Sequence, residues 1–338
     1  MEQREAERQA IVQQYPGLYR IITILVFIGV GILIGWILFA DKDGYGMNLW
    51  TEFVGAGFTY LVLDWWRRQQ DKKEQQTLDN ERLLTNLVHQ MRSAVPSEVQ
   101  RAAEQLDQHN RFQDGSLAGA DLQRCKFPTI IIREANFAKT KLSIARFEGS
   151  TLLDANLTES KLSSATFEKV TIGNSNLSFA TLDYCELRQV KIVKSDLCHT
   201  MFQHSRLENI EIYSSNLASI YLEGSQMINV KIFRSSLQNA DLIDANIEQI
   251  TLKDVDLKNA NFEGTMIIGA EFDNVNLEGA NLDGVSIRVI SGDGKIILPD
   301  GKEIETLFLP KELKRFSDPN HPEFWRSKDI ESPAYRAD

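Results

Sequence analysis

The chain has 338 residues, enough for two or three structural units, and its 43% hydrophobic content is that of a folded protein. Its formal charge of −10 argues against direct DNA or RNA binding, because phosphate contacts need clustered Lys and Arg. Three cysteines, Cys125, Cys185 and Cys198, are too few for a disulfide framework and read as reduced thiols.

In chain order, residues 1–20 are expected to be a cytoplasmic segment and residues 21–66 a two-helix transmembrane hairpin. Ile21 to Ala40 is a run of 20 residues without a charge, about 30 Å long as a helix. Leu49 to Trp66 is the second expected span, about 27 Å by the same rise. Glu52 and Asp64 sit near its ends, where a charge costs less than at the centre. Asp64 precedes Arg68 by one turn, so an i,i+4 pair offsets part of its charge. Trp50, Trp65 and Trp66 fall where an interfacial aromatic belt would. The uncharged run is too long for the apolar region of a signal peptide. Arg4, Arg8 and Arg20 precede the first span, and Arg67, Arg68, Lys72 and Lys73 follow the second. The loop from Asp41 to Asn48 offers only Lys42, so both termini are expected in the cytoplasm.

Asp41, Asp43, Gly46 and Glu52 of that loop fall at positions 1, 3, 6 and 12 of a calcium-loop template. Position 5 is Tyr45, a poor ligand, and Glu52 reads more simply as an acid in the first turn of a helix. Gly31 and Gly35 form a G-x-x-x-G step that permits close helix approach, between the two spans of one chain or between chains. A homo-oligomer is therefore one expectation.

Residues 67–112 read as a helical connector and N-terminal cap. Leu84, Val88, Met91 and Val95 make a helical stripe. Pro96 opens a second helix with Val99, Ala102, Ala103 and Leu106 on one face. Its expected role is a lid on the open strand edge of a solenoid.

Residues 113–290 carry a five-residue repeat. Reading every fifth residue from Leu117 to Ile287 gives 35 consecutive positions, all Leu, Ile, Phe or Met. Two residues before each stands a small or β-branched side chain, such as Ala120, Ala135, Ala145, Ala155, Ser175 and Val190. In extended chain, residues i and i−2 point the same way and i−1 points the opposite way. Each unit is thus a short extended edge followed by a bend. A second period sets the size of a turn. Val170, Val190, Ile210, Val230 and Ile250 recur at twenty, as do Asn136, Asn156, Asn176, Asp196 and Asn216. Four edges per coil follow, in roughly eight and a half coils that stack at ~4.8 Å into a rod on the order of 40 Å long. Residues 291–338 leave the register. Lys295 to Leu298, a Pro299-Asp300-Gly301 turn and Lys302 to Ile304 read as a capping hairpin, with Phe324 and Trp325 packed on the cap.

Segments such as Ala120-Asp121-Leu122, Ala155-Asn156-Leu157, Ala240-Asp241-Leu242 and Ala280-Asn281-Leu282 resemble the pentapeptide-repeat family. The resemblance covers about half the chain. It implies an all-β solenoid, a right-handed four-sided β-helix, and the direction of coiling comes from the family alone. The two-span front and the closing segment from Asp318 to Arg326 also look like membrane members from photosynthetic bacteria. That likeness implies a bacterial inner membrane, plasma or thylakoid, with membrane lipid as one partner. Family members in general lack catalytic sites, so no enzyme is expected.

No phosphate-binding glycine loop, zinc spacing or nucleophile motif occurs in the sequence, and no cofactor or metal is expected. Cys198, His199 and His204 lie near one corner without an evident fourth ligand. Cys125 and Cys185 fall on one face three coils apart, too distant for a disulfide. The expected function is a membrane-tethered cytoplasmic scaffold for an unidentified protein partner. One alternative is imitation of DNA toward a nucleic-acid-binding protein such as a topoisomerase; another is an oligomeric membrane pore, resting on Gly31, Gly35, Glu52 and Asp64. From Leu117 to Leu207, 12 Lys and Arg stand against 9 Asp and Glu, and from Glu208 to Ile287, 4 against 13. Asp241, Asp244, Glu248, Asp254, Asp256 and Glu263 are therefore the expected partner-binding residues, a target for a basic surface.

Overall fold

The structure, a computed structural model, describes residues 29, 30, 33, 45–288, 290–292, 294–305, 312–327 and 333–335. The chain divides into two units, Met1–Arg82 and Leu83–Asp338. Gly31, Gly35, Asp41 and Asp43 lie outside the described residues, as does all of the first expected span except Gly29, Val30 and Leu33.

From Tyr45 to Met91 the chain is one helix of 47 residues. Among the described residues no helix is long and apolar enough to cross a membrane. The second expected span, Leu49 to Trp66, is therefore not supported. Composition is the reason: Glu52, Asp64, Thr51, Thr59, Tyr60 and the tryptophans dilute the apolar run. Asp64 does pair with Arg68, at 2.8 Å. The helix also corrects the reading of the loop. Tyr45, Gly46 and Glu52 are helical, with Glu52 seven residues in from the start. Glu52 is thus no first-turn acid, and this stretch of backbone cannot wrap an ion as a calcium loop does.

In the second unit, the end of the long helix and Pro96–Gln108 cover the first coil. Leu87, Met91, Val99, Ala102, Ala103 and Leu106 are buried in one cluster with Leu117 and Leu122. Val95 does not join them. The first helix ends at Met91, so Val95 leaves the stripe and is exposed, while Leu87 takes a place in it. The lid also bonds the open edge directly. Arg92 donates from Nε to the Gln123 carbonyl and from Nη2 to the Asp121 carbonyl, each at 2.9 Å. Lys126 Nζ reaches the Ser93 carbonyl at 2.6 Å. Such bonds occupy carbonyls that would otherwise template another strand.

The coils pair in parallel with a shift of twenty residues. Phe127 lies against Phe147, Phe147 against Phe167, Leu187 against Leu207 and Met227 against Ile247. Four sides follow in each turn. Side one carries the Phe127, Phe147, Phe167 column, side two Ile132 and Leu152, side three Phe137 and Leu157, and side four Leu122, Leu142 and Leu162. Sides one and two are strands, and from Arg206–Tyr213 onward they fuse across their shared corner into strands of 8 and then 11 residues. β-Branched side chains suit the extended backbone of these two sides: Val170, Val190, Ile210, Val230 and Ile250 line their shared corner, and Thr151, Thr166 and Thr171 flank it. Strand reaches side three only in the last coils, where Val255 and Asp256 pair with Val275 and Asn276; elsewhere sides three and four pair mostly through single bridges, such as Asn156 with Asn176 and Lys161 with Thr181. There Asn or Asp often holds the i−1 place and accepts the amide of i+1. Asn176 bonds the Ser178 amide at 2.9 Å and Asp241 that of Ile243 at 3.1 Å. This local bond competes with strand geometry.

Inside, the large residues stack on their counterparts. Phe127 and Phe147 lie face to face at 4.4 Å between ring centroids, and Phe147 and Phe167 at 4.8 Å. A void of about 20 Å³ remains between the apolar columns from Leu187 to Leu237. Its walls offer a water no polar partner, so it stays dry. Along the start of side three, Ser175, Ser195, Ser215 and Ser235 build a ladder. Each hydroxyl donates to the carbonyl two residues back, at 2.8–3.0 Å. Each also accepts an amide from the coil below, at 3.1–3.2 Å. Buried backbone groups at that corner are thereby satisfied.

At the far end Lys295–Ile297 pairs in parallel with the last coil and antiparallel with Glu303–Glu305. Phe316 is buried there, with Trp325 edge-on at 5.7 Å.

Most corners use a left-handed residue at i+2, and many of these are not glycine: Lys139, Ile144, Glu159, Lys169, Phe179 and Tyr184 have φ between 55° and 62°. Each such non-glycine residue costs about 1–2 kcal/mol. Lys169→Gly should therefore stabilise the fold by up to about 1 kcal/mol, the relief of strain less the entropy of glycine. Its ion pair with Glu168 is surface-exposed and contributes little. Leu197→Asp should unfold the solenoid, because an unpaired charge enters a site that is 1% exposed. Lys191→Ala, outward on side two, should stay within about 0.5 kcal/mol of the parent. Urea unfolding followed by β-sheet circular dichroism of the full chain reads all three; equal losses in Leu197→Asp and Lys191→Ala would overturn the register.

Candidate functional site

The coil sends i−1, i+1 and the corner i+2 outward, so each side is a regular lattice of side chains repeating every twenty residues. The expected acidic residues do not gather on one part of it. Asp241, Asp244 and Glu263 belong to side four and its corner. Glu248 is on side one, Asp254 at the corner leaving side two, and Asp256 on side three. Several of them serve the fold. Asp256 accepts the Lys258 amide and Asn276 Nδ2, each at 3.1 Å, and also bonds Gln238. Asp254 accepts from Asn274 at 3.0 Å, and Glu263 from Asn281 at 3.2 Å. Glu248, Asp244 and Asp254 are exposed, and Asp241 is half-buried. Desolvation pushes the Asp241 carboxyl above the usual range, and Glu223 in the coil below pushes it further.

A second set of residues does converge, and sequence reading passed it over. Six large apolar side chains of the coils are exposed: Ile131, Ile144, Phe179, Tyr184, Met201 and Tyr221. All but Ile131 lie on side four or its two corners. Phe179 stacks on His199 at 4.9 Å along one corner ridge, and Tyr184 on His204 at 5.4 Å along the other. Thr181, Met201 and Tyr221 lie between the ridges. Contiguous exposed aromatics of this kind mark contact surfaces. The signal was present in the sequence as large residues at bend positions, where Gly, Asn or a charged residue is the rule elsewhere in this chain.

His199 and His204 stand on different ridges and each is stacked on a ring, so with Cys198 they do not converge. Among the described residues no group of His, Cys, Asp and Glu is placed to hold a metal ion. Cys125 and Cys185 are free and buried, Cys198 free and half-exposed. Burial pushes the Cys125 thiol up to about 11 and the Cys185 thiol up to about 12. Cys185 Sγ donates to the Leu162 carbonyl at 3.1 Å.

The parallel four-sided coil and its outward lattice define the class: a β-solenoid built of five-residue edges. The chain belongs to the pentapeptide-repeat family. The family's "Pentapeptide repeat region" matches residues 120–197, and "Pentapeptide repeats (8 copies)" matches residues 248–284. No curated protein matches the chain in sequence. Among solved structures it is similar to HetL, a pentapeptide repeat protein involved in heterocyst differentiation regulation in Nostoc sp. strain PCC 7120. The identity is 20%, over 58% of this chain and 97% of that one, with a TM-score of 0.47. It is similar also to QnrB1, a plasmid-mediated fluoroquinolone resistance protein, at 15% identity over 52% and 90%, with a TM-score of 0.37. A third is Rfr23 of the cyanobacterium Cyanothece 51142, at 20% identity over 55% and 99%, with a TM-score of 0.13. These scores bear no argument about activity.

A thiol reagent reacts with the thiolate. In the native full chain at about pH 8 it should modify Cys198 first and leave Cys125 and Cys185 untouched until denaturant is added. Mass spectrometry should show one label rising to three. Rapid native labelling of Cys185 would mean that its column is open.

Proposed function

We propose that the protein is a non-catalytic interaction scaffold, and that its acidic half receives a basic protein surface. The observation that carries this reading is the polarity of charge along the coils, +3 from Leu117 to Leu207 against −9 from Glu208 to Ile287. Parallel stacking keeps that charge on the outside, because every inward position is apolar or small. Glu248 and Asp254 are exposed and outside the side-four patch, so they are the acids best placed to meet such a partner. The uncharged run from Ile21 to Ala40 supports a tether, with the solenoid on the cytoplasmic side of a bacterial inner membrane. A second reading, imitation of DNA toward a nucleic-acid-binding protein, draws on the spread of acids over all four sides.

In a pull-down of the full chain from membranes, Glu248→Lys with Asp254→Lys should release a basic partner. About 0.5 M salt should do the same, since surface pairs are screened. Binding that survives both treatments would move the partner site elsewhere. A competing effect of double-stranded DNA on that partner would favour the second reading. Phosphatase fused after Asp338 should be inactive; strong activity of that fusion would overturn the cytoplasmic placement.

A further inference from the structure

Side four is ordered by charge as well as by its aromatic patch. Beneath the patch stand Arg124, Lys141 and Lys161, all exposed and none in an ion pair among the described residues. The other charges there are already matched, Asp121 with Arg92 at 3.1 Å and Lys139 with Glu159 at 3.7 Å. Above the patch the side and its corners carry Glu223, Asp241, Asp244 and Glu263. No Lys or Arg occupies any of their outward positions from Ser219 to Gly284. Asp241 and Asp244 likewise form no ion pair among the described residues. Among the described residues one side therefore runs from Arg124, Lys141 and Lys161, through exposed aromatics, to Asp241 and Asp244, none of them in an ion pair.

Such a strip is complementary to itself when reversed. A second copy can be turned end for end about an axis lying across side four, midway between the rows of Leu182 and Phe202. The columns then stay in place and the rows exchange. Lys141 meets Asp241, Lys161 meets Tyr221, and Arg124 meets Gly264 beside Glu263. At the centre Phe179 meets His199, Tyr184 meets His204, and Thr181 meets Met201. Each contact occurs twice, as a two-fold interface requires. Ile144 against Asp244 is the one poor match, and Lys141 lies beside it. The strip from the Leu122 row to the Phe262 row is about 34 Å long at ~4.8 Å per coil. Aromatic centre and charged ends are also the anatomy of contact surfaces that bind well.

We propose that side four is the interface of an antiparallel homodimer, aromatic at its centre and closed at both ends by lysine–aspartate pairs between copies. Asp241 supports this: burial and Glu223 disfavour its ionised form in the single chain, and an incoming Lys141 supplies the opposite charge that favours it. The interface leaves Glu248 and Asp254 outside, so it stands or falls independently of the partner site.

The test is a charge swap in the full chain, read as protein molar mass by light scattering in detergent. One variant carries Lys141→Glu and Lys161→Glu, the other Asp241→Lys and Asp244→Lys. The parent should be a dimer, and each variant alone should show half its mass, because like charges meet at both ends. An equimolar mixture of the two should regain the dimer, since position 141 of one variant then faces position 241 of the other with opposite charge at both ends. Circular dichroism, unchanged in both, shows that they fold. Phe179→Ser with Tyr184→Ser should also halve the mass. A monomeric parent, or variants that keep the parent mass, would overturn the interface. A mixture that stays monomeric would overturn the antiparallel register.

Discussion

The shift of twenty residues between paired coils is the constraint on which this structure rests. Backbone bonds such as Leu142 N to the Lys161 carbonyl and Thr166 N to the Ala145 carbonyl, 2.7 and 2.9 Å, hold each residue over its counterpart. No side chain can then be judged alone. A phenylalanine stacks on a phenylalanine, a serine bonds the coil beneath it, and an asparagine such as Asn216 reaches Asp196 in the same column at 2.9 Å. The core is a set of columns whose members must fit vertically as well as across.

The same constraint shapes the surface. Charges placed at one position of successive coils cannot separate, so a local bias in composition becomes a field. Some of it is neutralised between coils, as in Lys253 with Asp273 at 2.6 Å and Lys258 with Glu278 at 3.2 Å. On side four Arg124, Lys141, Lys161, Asp241 and Asp244 form no such pair among the described residues. Corners add a further cost, since a β-branched or aromatic residue in the left-handed region is strained wherever it occurs. Ile144, Phe179 and Tyr184 accept that strain at exposed positions, where burial offers no compensation.

Stacked coils have two ends, and each is closed by a different device. The lid helices bury apolar residues and aim Arg92 at open carbonyls. The hairpin instead continues the ladder, with Ile296 beside Val275, and then turns back on itself through Leu298 and Gly301, 2.9 Å apart from amide to carbonyl. Between them, among the described residues, Lys141, Lys161, Asp244 and Glu263 of side four stay exposed.

The sequence by itself determined the period of five, the coil of twenty and the identity of the core, because apolar residues at a fixed step have only one way to share an interior. It also showed the lid helix opened by Pro96 and the hairpin around Pro299-Asp300-Gly301, since these signals are local. It misled where meaning depends on the surroundings of a residue. Glu52 looked like a ligand or a cap until the helix was seen to start at Tyr45. Asp241, Asp254 and Asp256 stood out by the charge of the distal half, and the coil sends them to side four, the corner leaving side two, and side three. Phe179, Tyr184, Met201 and Tyr221 looked unrelated. Only the closed turn brings positions 17 and 20 residues apart onto one side, and only its corners decide that two aromatic rings in a bend face outward together.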